Sequence, residues 1–270
     1  MIKELFKQAC LDELQAIKPG NVHVFADGHD MTVENFILSA NVAAEEIAEP
    51  KLSLGQRILA SVEATHKAVN CNTNLGIILL CAPLIHAHRK QLEVVLKNTT
   101  VEDCDLCFRA IALANPAGLG KSEVHDVHQN PSCTLQEAMQ EAAMRDLIAS
   151  QYSNNFADIF SFGIPNYELS MARWDQAIWA TTEVYLQFLA HYLDSHVLRK
   201  YGNDEAIKVQ NEAKIHLNAF TQARNPKTYF GELLRWDADF KMRKINPGTC
   251  ADLTVATLFA IKLRAYKGNN

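Results

Sequence analysis

Apolar residues return three and four positions apart along most of this chain, and almost nowhere does a run of four to eight residues alternate apolar with polar. The first spacing lines one face of a helix and the second would line one face of a strand, so the chain reads as all-α. The punctuation agrees. Ser53-Leu-Gly-Gln56 has capping-box form, and Ile58, Val62, Thr65 and Val69 follow on one face. Thr134-Leu-Gln-Glu137 has the same form ahead of Met139, Ala142, Ala143 and Leu147. Thr249-Cys-Ala-Asp252 puts an acid at the third helical position, where it can reach back to the cap and favour the positive helix end. Stops are equally plain at Lys18-Pro19-Gly20, Asn115-Pro116 and Asn225-Pro226, because the residue before proline is pushed out of the α region.

These signals predict about ten helices, near residues 3–17, 32–48, 54–70, 73–88, 101–114, 134–149, 151–160, 170–200, 203–223 and 249–266, with a short one near 228–242. No Gly/Ser linker, low-complexity tract or clean repeat divides the chain, so residues 1–270 are read as a single-domain bundle. Its least regular part, NPAGLGKSEVHDVHQNP at 115–131, is the expected active-site loop, since long loops in compact domains are usually functional. A formal net charge of −5 gives no nucleic-acid footprint. Seven cysteines, an odd number without framework spacing, read as reduced, buried small hydrophobes. The opening MIKELFKQACLDEL lacks the layout of a signal peptide, and no stretch has the uncharged length to cross a bilayer, so a cytoplasmic enzyme or binding protein is expected.

Four stretches carry chemistry. Lys18-Pro-Gly20-Asn21-Val-His23 through His29-Asp30-Met31 packs a cation, an amide, imidazoles and a carboxylate into one helix connection, although Asp30 or Thr32 could simply cap the next helix. Asn72-Thr73-Asn74-Leu-Gly76 precedes the apolar run Ile77 to Ile85, which places its amides in the interior, where they need partners. Asp194-Ser-His196 through Lys200 and Gly202 is read as the end of the long helix over 170–200; an acid there opposes the helix dipole and calls for another purpose. Asn246-Pro-Gly248-Thr249 opens the last helix, a ready seat for an anion. Walker A, GxGxxG and GxSxG signatures are absent from the sequence, so bound phosphates would rest on helix N-termini and Lys/Arg side chains.

Taken in order, these blocks resemble the triphosphoribosyl-dephospho-coenzyme A synthase family over nearly the whole chain. The early KPG block with a downstream HxDM-like stretch matches Lys18-Pro19-Gly20 and His29-Asp30-Met31, and NTxxG matches Asn72 to Gly76. A DTN-like block ending in basic residues and glycine matches Asp194 to Gly202, and PGxxAD matches Pro247 to Asp252. Asn74-Leu75 stands where the family usually has His-Lys, and residues 118–126 replace a Gly/Arg-rich segment, which marks a divergent branch. The resemblance implies transfer of triphosphoribose from ATP to the hydroxyl of dephospho-CoA with release of adenine. A related ribosyl transfer in tetrahydromethanopterin synthesis, with ATP or phosphoribosyl pyrophosphate as donor, stands beside it. Two further classes remain: a non-catalytic nucleotide-binding protein and a metal-dependent hydrolase. For ribosyl transfer, Asp30, Asp194 and Asp252 are expected to be catalytic and to hold Mg²⁺. Lys18 and Lys200 would serve as phosphate cations, while Gly20, Asn21, His23, His29, Asn72, Thr73, Asn74, His196, Asn246, Gly248 and Thr249 would bind nucleotide. The partners implied are a nucleotide donor and a hydroxyl acceptor, with neither nucleic acid nor membrane; a homodimer is left open.

Overall fold

The computed structural model describes residues 1–88, 90–116, 127 and 129–266, so most of the expected active-site loop lies outside the described residues. The described residues form fourteen α-helices. The first half holds α1 (Ile2–Gln15), α2 (Val33–Ile47), α3 (Leu54–Val69), α4 (Leu75–His86), α5 (Leu92–Lys97), α6 (Val101–Ala114) and α7 (Leu135–Ala142). The second holds α8 (Leu147–Asn154), α9 (Ile164–Trp174), α10 (Ala177–His191), α11 (Ser195–Tyr201), α12 (Asn203–Gln222), α13 (Phe230–Met242) and α14 (Gly248–Ala265). A π-helical turn at Asp158–Gly163 leads into α9 and a 3₁₀ turn at Pro226–Tyr229 into α13. Among the described residues extended pairing is limited to two isolated bridges, His23 with Ala26 and Gly28 with Met31. No helix of the described residues is long and apolar enough to cross a membrane.

Two helices form the centre because their sequences are apolar on nearly every side. In α4 the eleven residues from Leu75 to Ile85 are all buried. In α14 the buried residues include Leu253, Val255, Leu258 and Phe259, while Thr254 and Thr257 return their hydroxyls to Cys250 O and Leu253 O at 2.8 and 2.9 Å. Each fully buried aliphatic side chain of this kind contributes about 1.5–3 kcal/mol. The α14 helix packs on α1, α4, α10 and α11, and one contiguous core joins Phe6 of α1 to Ala260 of α14. Around this centre α2 packs on α3, α3 on α6, α7 on α8 and α10 on α12.

Both predicted capping boxes form, at Ser53/Gln56 and Thr134/Glu137. Thr32, the bland alternative for its stretch, caps α2 in a third. Other boundaries differ from the periodicity. The single helix expected over 170–200 is three pieces, because Asp175 adopts a left-handed φ of 51° after α9 and Tyr192 is extended after α10. The helix expected over 134–149 stops at Ala142, and Asp146 caps a new one through the amides of Ile148 and Ala149 at 2.9 and 3.1 Å. The stretch expected as a helix over 151–160 contains Asn155 and Phe156 at positive φ and then the π-helical turn. Helix α5 had no counterpart among the expected elements. The two extra pieces of 170–200, the short helix near 228–242 and α5 bring the expected ten helices to fourteen.

Candidate active site

The two Pro-Gly corners are packed against each other. Gly20 has φ +85°, and a Cβ placed on it would lie 2.8 Å from Pro247 Cδ, 2.8 Å from Phe240 Cδ2 and 2.9 Å from Ile245 O. Only a residue without a side chain both adopts that φ and allows the approach. Gly20 N donates to Asp237 Oδ1 at 2.9 Å, and Gly20 O lies 2.7 Å from His29 Nε2. Asn21 Nδ2 donates across the junction to Asn246 Oδ1 at 2.9 Å. Beneath the corner, the fully buried Lys18 donates to Glu13 Oε1 at 2.6 Å, Val22 O at 2.8 Å and Asn21 Oδ1 at 3.3 Å. Burial raises the Glu13 pKa and lowers that of Lys18, and each partner opposes the other's shift. The buried His23 lies with Nε2 3.3 Å from Asp237 Oδ1. Burial pushes Asp237 up, but hydrogen bonds and charge from His23 and Lys241 outweigh it and hold the carboxyl below its usual range.

Above this junction opens a cavity of about 920 Å³. Four helices bring their N-terminal turns to its wall: α4 through Leu75, Gly76 and Ile77, α8 through Ile148 and Ala149, α11 through His196, and α14 through Gly248, Thr249, Ala251 and Asp252. Helix N-termini carry partial positive charge, which favours an anion, although Asn72, Asp146 and Asp194 already accept from several of the amides here. Arg145, Arg199 and Lys200 add side-chain cations to the same wall, and Glu13, Glu141, Asp146 and Asp252 are its acids. Arg199 is ion-paired with Asp146. A separate stretch of wall is apolar, with Leu79 of α4, Phe108 and Ile111 of α6, and Ala138 and Met139 of α7. Asn115, Pro116 and Val127, from the expected active-site loop, also face the cavity.

Asp252 is the acid of this wall carried by α14. The helix begins at Gly248, with no side-chain cap from Pro247, so Asp252 lies a turn in, where it cannot act as the predicted capping acid. Its carboxyl instead sits against the first turn of α4: a Cβ on Gly76 would lie 2.0 Å from Asp252 Oδ2. Burial, then the negative charges of Glu13, Asp194 and Asp146, push Asp252 well above the usual carboxylate range, with Arg199 opposing. Burial also lowers His29 and His196; Gly20 O opposes the first shift and Asp194 the second, while Lys200 adds to both. Both shifts favour the neutral imidazole, which can donate and accept.

Asp194 has a different position from the one read in sequence. Because the long helix breaks, it is the N-cap of α11, where an acid agrees with the dipole. Oδ1 accepts from His196 N and Val197 N at 2.9 and 3.0 Å, and Oδ2 from Cys250 N at 2.8 Å. It thus clamps the N-termini of α11 and α14 together. Asp30 is exposed, at a left-handed φ of 60°, and is not part of the cavity wall. The structure therefore does not gather Asp30, Asp194 and Asp252, and no group of three His, Cys, Asp or Glu side chains among the described residues is placed to hold a metal ion. Lys18, Gly20 and His23 support the wall from behind. The wall itself includes Asn21, His29, Asn72, Thr73, Asn74, His196, Lys200, Asn246, Gly248, Thr249 and Asp252. Asn72 Oδ1 takes Leu75 N at 3.1 Å, Thr73 donates to Ser39 Oγ at 2.6 Å, and Asn74 Nδ2 donates to Thr65 Oγ1 at 3.0 Å.

Glu13, Arg145 and Asp146 also face the cavity and were not singled out in sequence. The last two looked like the interior of one long helix, and the Asp-Leu-Ile cap that separates α7 from α8 was the signal available.

The whole chain, residues 1–270, matches the model of the CitG family, described as ATP:dephospho-CoA triphosphoribosyl transferase. The chain belongs to this family. A relative from Albidiferax ferrireducens, named probable 2-(5''-triphosphoribosyl)-3'-dephosphocoenzyme-A synthase, is 28% identical over 110 residues, which are 41% of this chain and 36% of that protein. The match thus spans little more than a third of the relative's length. No solved structure matches the chain. Within this CitG-family chain the blocks that carry the resemblance converge: the NTNLG amides, the basic end of α11 and the PGTCAD turn all reach one cavity.

Proposed function

We propose that this protein transfers triphosphoribose from ATP to a hydroxyl of dephospho-CoA, releasing adenine. The observation that carries the reading is the meeting of four helix N-termini, two arginines and Lys200 with the raised carboxyl of Asp252 in one cavity. In this reading the acceptor oxygen bonds to the ribose anomeric carbon while the bond from that carbon to the adenine nitrogen breaks. The hydroxyl proton is lost and adenine gains one, so the sum of atoms is unchanged. Asp252, made a stronger base by its surroundings, takes the hydroxyl proton. The acids around it favour the positive charge that develops on the sugar. Arg145, Arg199, Lys200 and the helix ends hold the triphosphate.

Mg²⁺ would neutralise and orient the triphosphate. The other acids of the wall, Glu13, Glu141 and Asp146, would offer such an ion a carboxylate oxygen beside phosphate oxygens and water, the usual manner for Mg²⁺, and leave Asp252 free to take the proton. A site built from Asp30, Asp194 and Asp252 does not fit, since Asp194 is engaged by three backbone amides and Asp30 lies elsewhere. The reading implies a cytoplasmic enzyme with small-molecule partners.

Mass spectrometry of the purified protein with ATP, Mg²⁺ and dephospho-CoA tests it. The expected products are free adenine and an acceptor heavier by one triphosphoribosyl group. Adenine release with a pterin acceptor alone would move the reading to the second transfer, and no adenine with any acceptor would refute transfer from ATP. D252N is expected to lower turnover by about 10²–10⁴-fold, the usual contribution of a positioned base, with an unchanged helical circular-dichroism signal.

A further inference from the structure

Asn246 is only 7% exposed, yet it forms part of the cavity wall. Its Oδ1 is taken by Asn21 Nδ2 at 2.9 Å, and among the described residues no protein acceptor meets its own Nδ2. The carbonyl and NH₂ of an amide share one planar fork, so engaging Oδ1 with Asn21 turns the NH₂ away from Asn21. An asparagine can be turned over by half a rotation unless its neighbours object. Here the objection comes from Lys18. An ammonium has three donors and no acceptor, and those of Lys18 are directed at Glu13 Oε1, Val22 O and Asn21 Oδ1. Turning Asn21 over would set NH₂ against ammonium in a fully buried place. Asn21 therefore keeps its oxygen toward Lys18 and its NH₂ toward Asn246, and Asn246 is held in turn. The backbone of Asn246 is fixed as well, through Gly248 N to Asn246 O at 2.8 Å.

We propose that the Asn246 side-chain NH₂ donates a hydrogen bond to an oxygen of the bound sugar phosphate, and that Lys18, through Asn21, is the positioning residue that keeps a donor rather than a carbonyl facing the ligand. The inference rests on reading the cavity as a ribosyl-phosphate site. It gives Lys18 a purpose without contact with phosphate: the buried charge sets the polarity of a wall that it does not reach. Ligands offering an acceptor oxygen at this point are selected over those offering a donor.

The test uses the full-length ¹⁵N-labelled protein, with the Asn246 side-chain amide signal assigned by its loss in Asn246→Ser. In the wild type that NH₂ should exchange with solvent faster than the Asn21 NH₂, and addition of ATP should shift and protect it. In Asn21→Asp the new carboxylate accepts from Lys18 and from Asn246, so Asn246 must turn over. Its NH₂ should then be protected before ligand is added, and ATP should bind at least tenfold more weakly. A weakening that disappears at high salt would report only the added charge and would overturn the relay. If Asn21→Asp does not fold, the wild-type titration decides: ATP bound with the Asn246 signal unmoved overturns the proposal. Should ATP not bind the wild type at all, the ribosyl reading fails on its own. The relay is then judged by the ligand-free exchange rates, and an Asn246 NH₂ as protected as that of Asn21 sinks it.

Discussion

Gly76 lacks a side chain at the place where Asp252 Oδ2 sits, 2.0 Å from where a Cβ would be. Ala at this position must push aside either the carboxyl or the first turn of α4. G76A is therefore expected to cost about 1–3 kcal/mol of stability, the usual range for overpacking, and to reduce turnover more than it weakens ATP binding. Comparing melting curves with kinetics checks both parts. The pH dependence belongs to the same pair of residues. As the proposed base, Asp252 would act only when ionised, and its surroundings push its pKa well above 3.8. Turnover should accordingly fall as pH drops through that raised value, a limb far above the one an ordinary aspartate would give. A log kcat/KM profile without such a limb would remove Asp252 from the role of base. Asp237 has the opposite sign. Its folded pKa lies below 3.8, so it stabilises the protein above 3.8 and loses that contribution as pH falls through the lower folded value. D237N should flatten the acid side of a stability-versus-pH curve.

At the scale of elements, Asp194 joins two helix starts with one carboxylate. D194A leaves three amides without their acceptor and is expected to destabilise the fold by about 2–3 kcal/mol, measured by denaturant unfolding. D194N keeps the shape and one acceptor oxygen and should cost less. The same aspartate shows where sequence reading succeeded and where it stopped. Its stretch was picked out because an acid at a helix C-terminus needs a reason, yet the reason was that a new helix begins there. Periodicity saw α10 and α11 as one element because both continue the same apolar spacing, and the break at Tyr192 carries no glycine or proline to mark it. Capping boxes at Ser53 and Thr134 were legible because two side chains name the boundary. The convergence at the cavity was partly legible: amides beside helix starts point to Asn72 and Asn246, and the family resemblance to Lys200. Glu13 was not, since its place in the wall depends on α1 packing beside α14, a long-range fact that no local pattern encodes.

For the molecule as a whole, the cavity depends on a junction between segments more than two hundred residues apart. Asn21 meets Asn246, Gly20 receives Pro247, and Phe6 of α1 packs edge-on to Phe259 of α14 with ring centroids 6.0 Å apart. Lys18 is the charged anchor of that junction. K18M would leave Glu13 buried without its cation and is expected to cost about 3–5 kcal/mol, the usual penalty for removing one partner of a buried pair. Thermal melting of the variant, with and without ATP, would measure it.

Stacking the first Pro-Gly corner on the last also orders events during synthesis. A nascent chain on the ribosome can finish α2, α3 and α6 while α1 still waits for its mate, because Asn246, Gly248 and Asp252 are translated more than two hundred residues after α1. Until α14 emerges the cavity lacks the wall that Gly248, Thr249 and Asp252 supply, so a ligand of that cavity can rescue a slow folder only once α14 has been made.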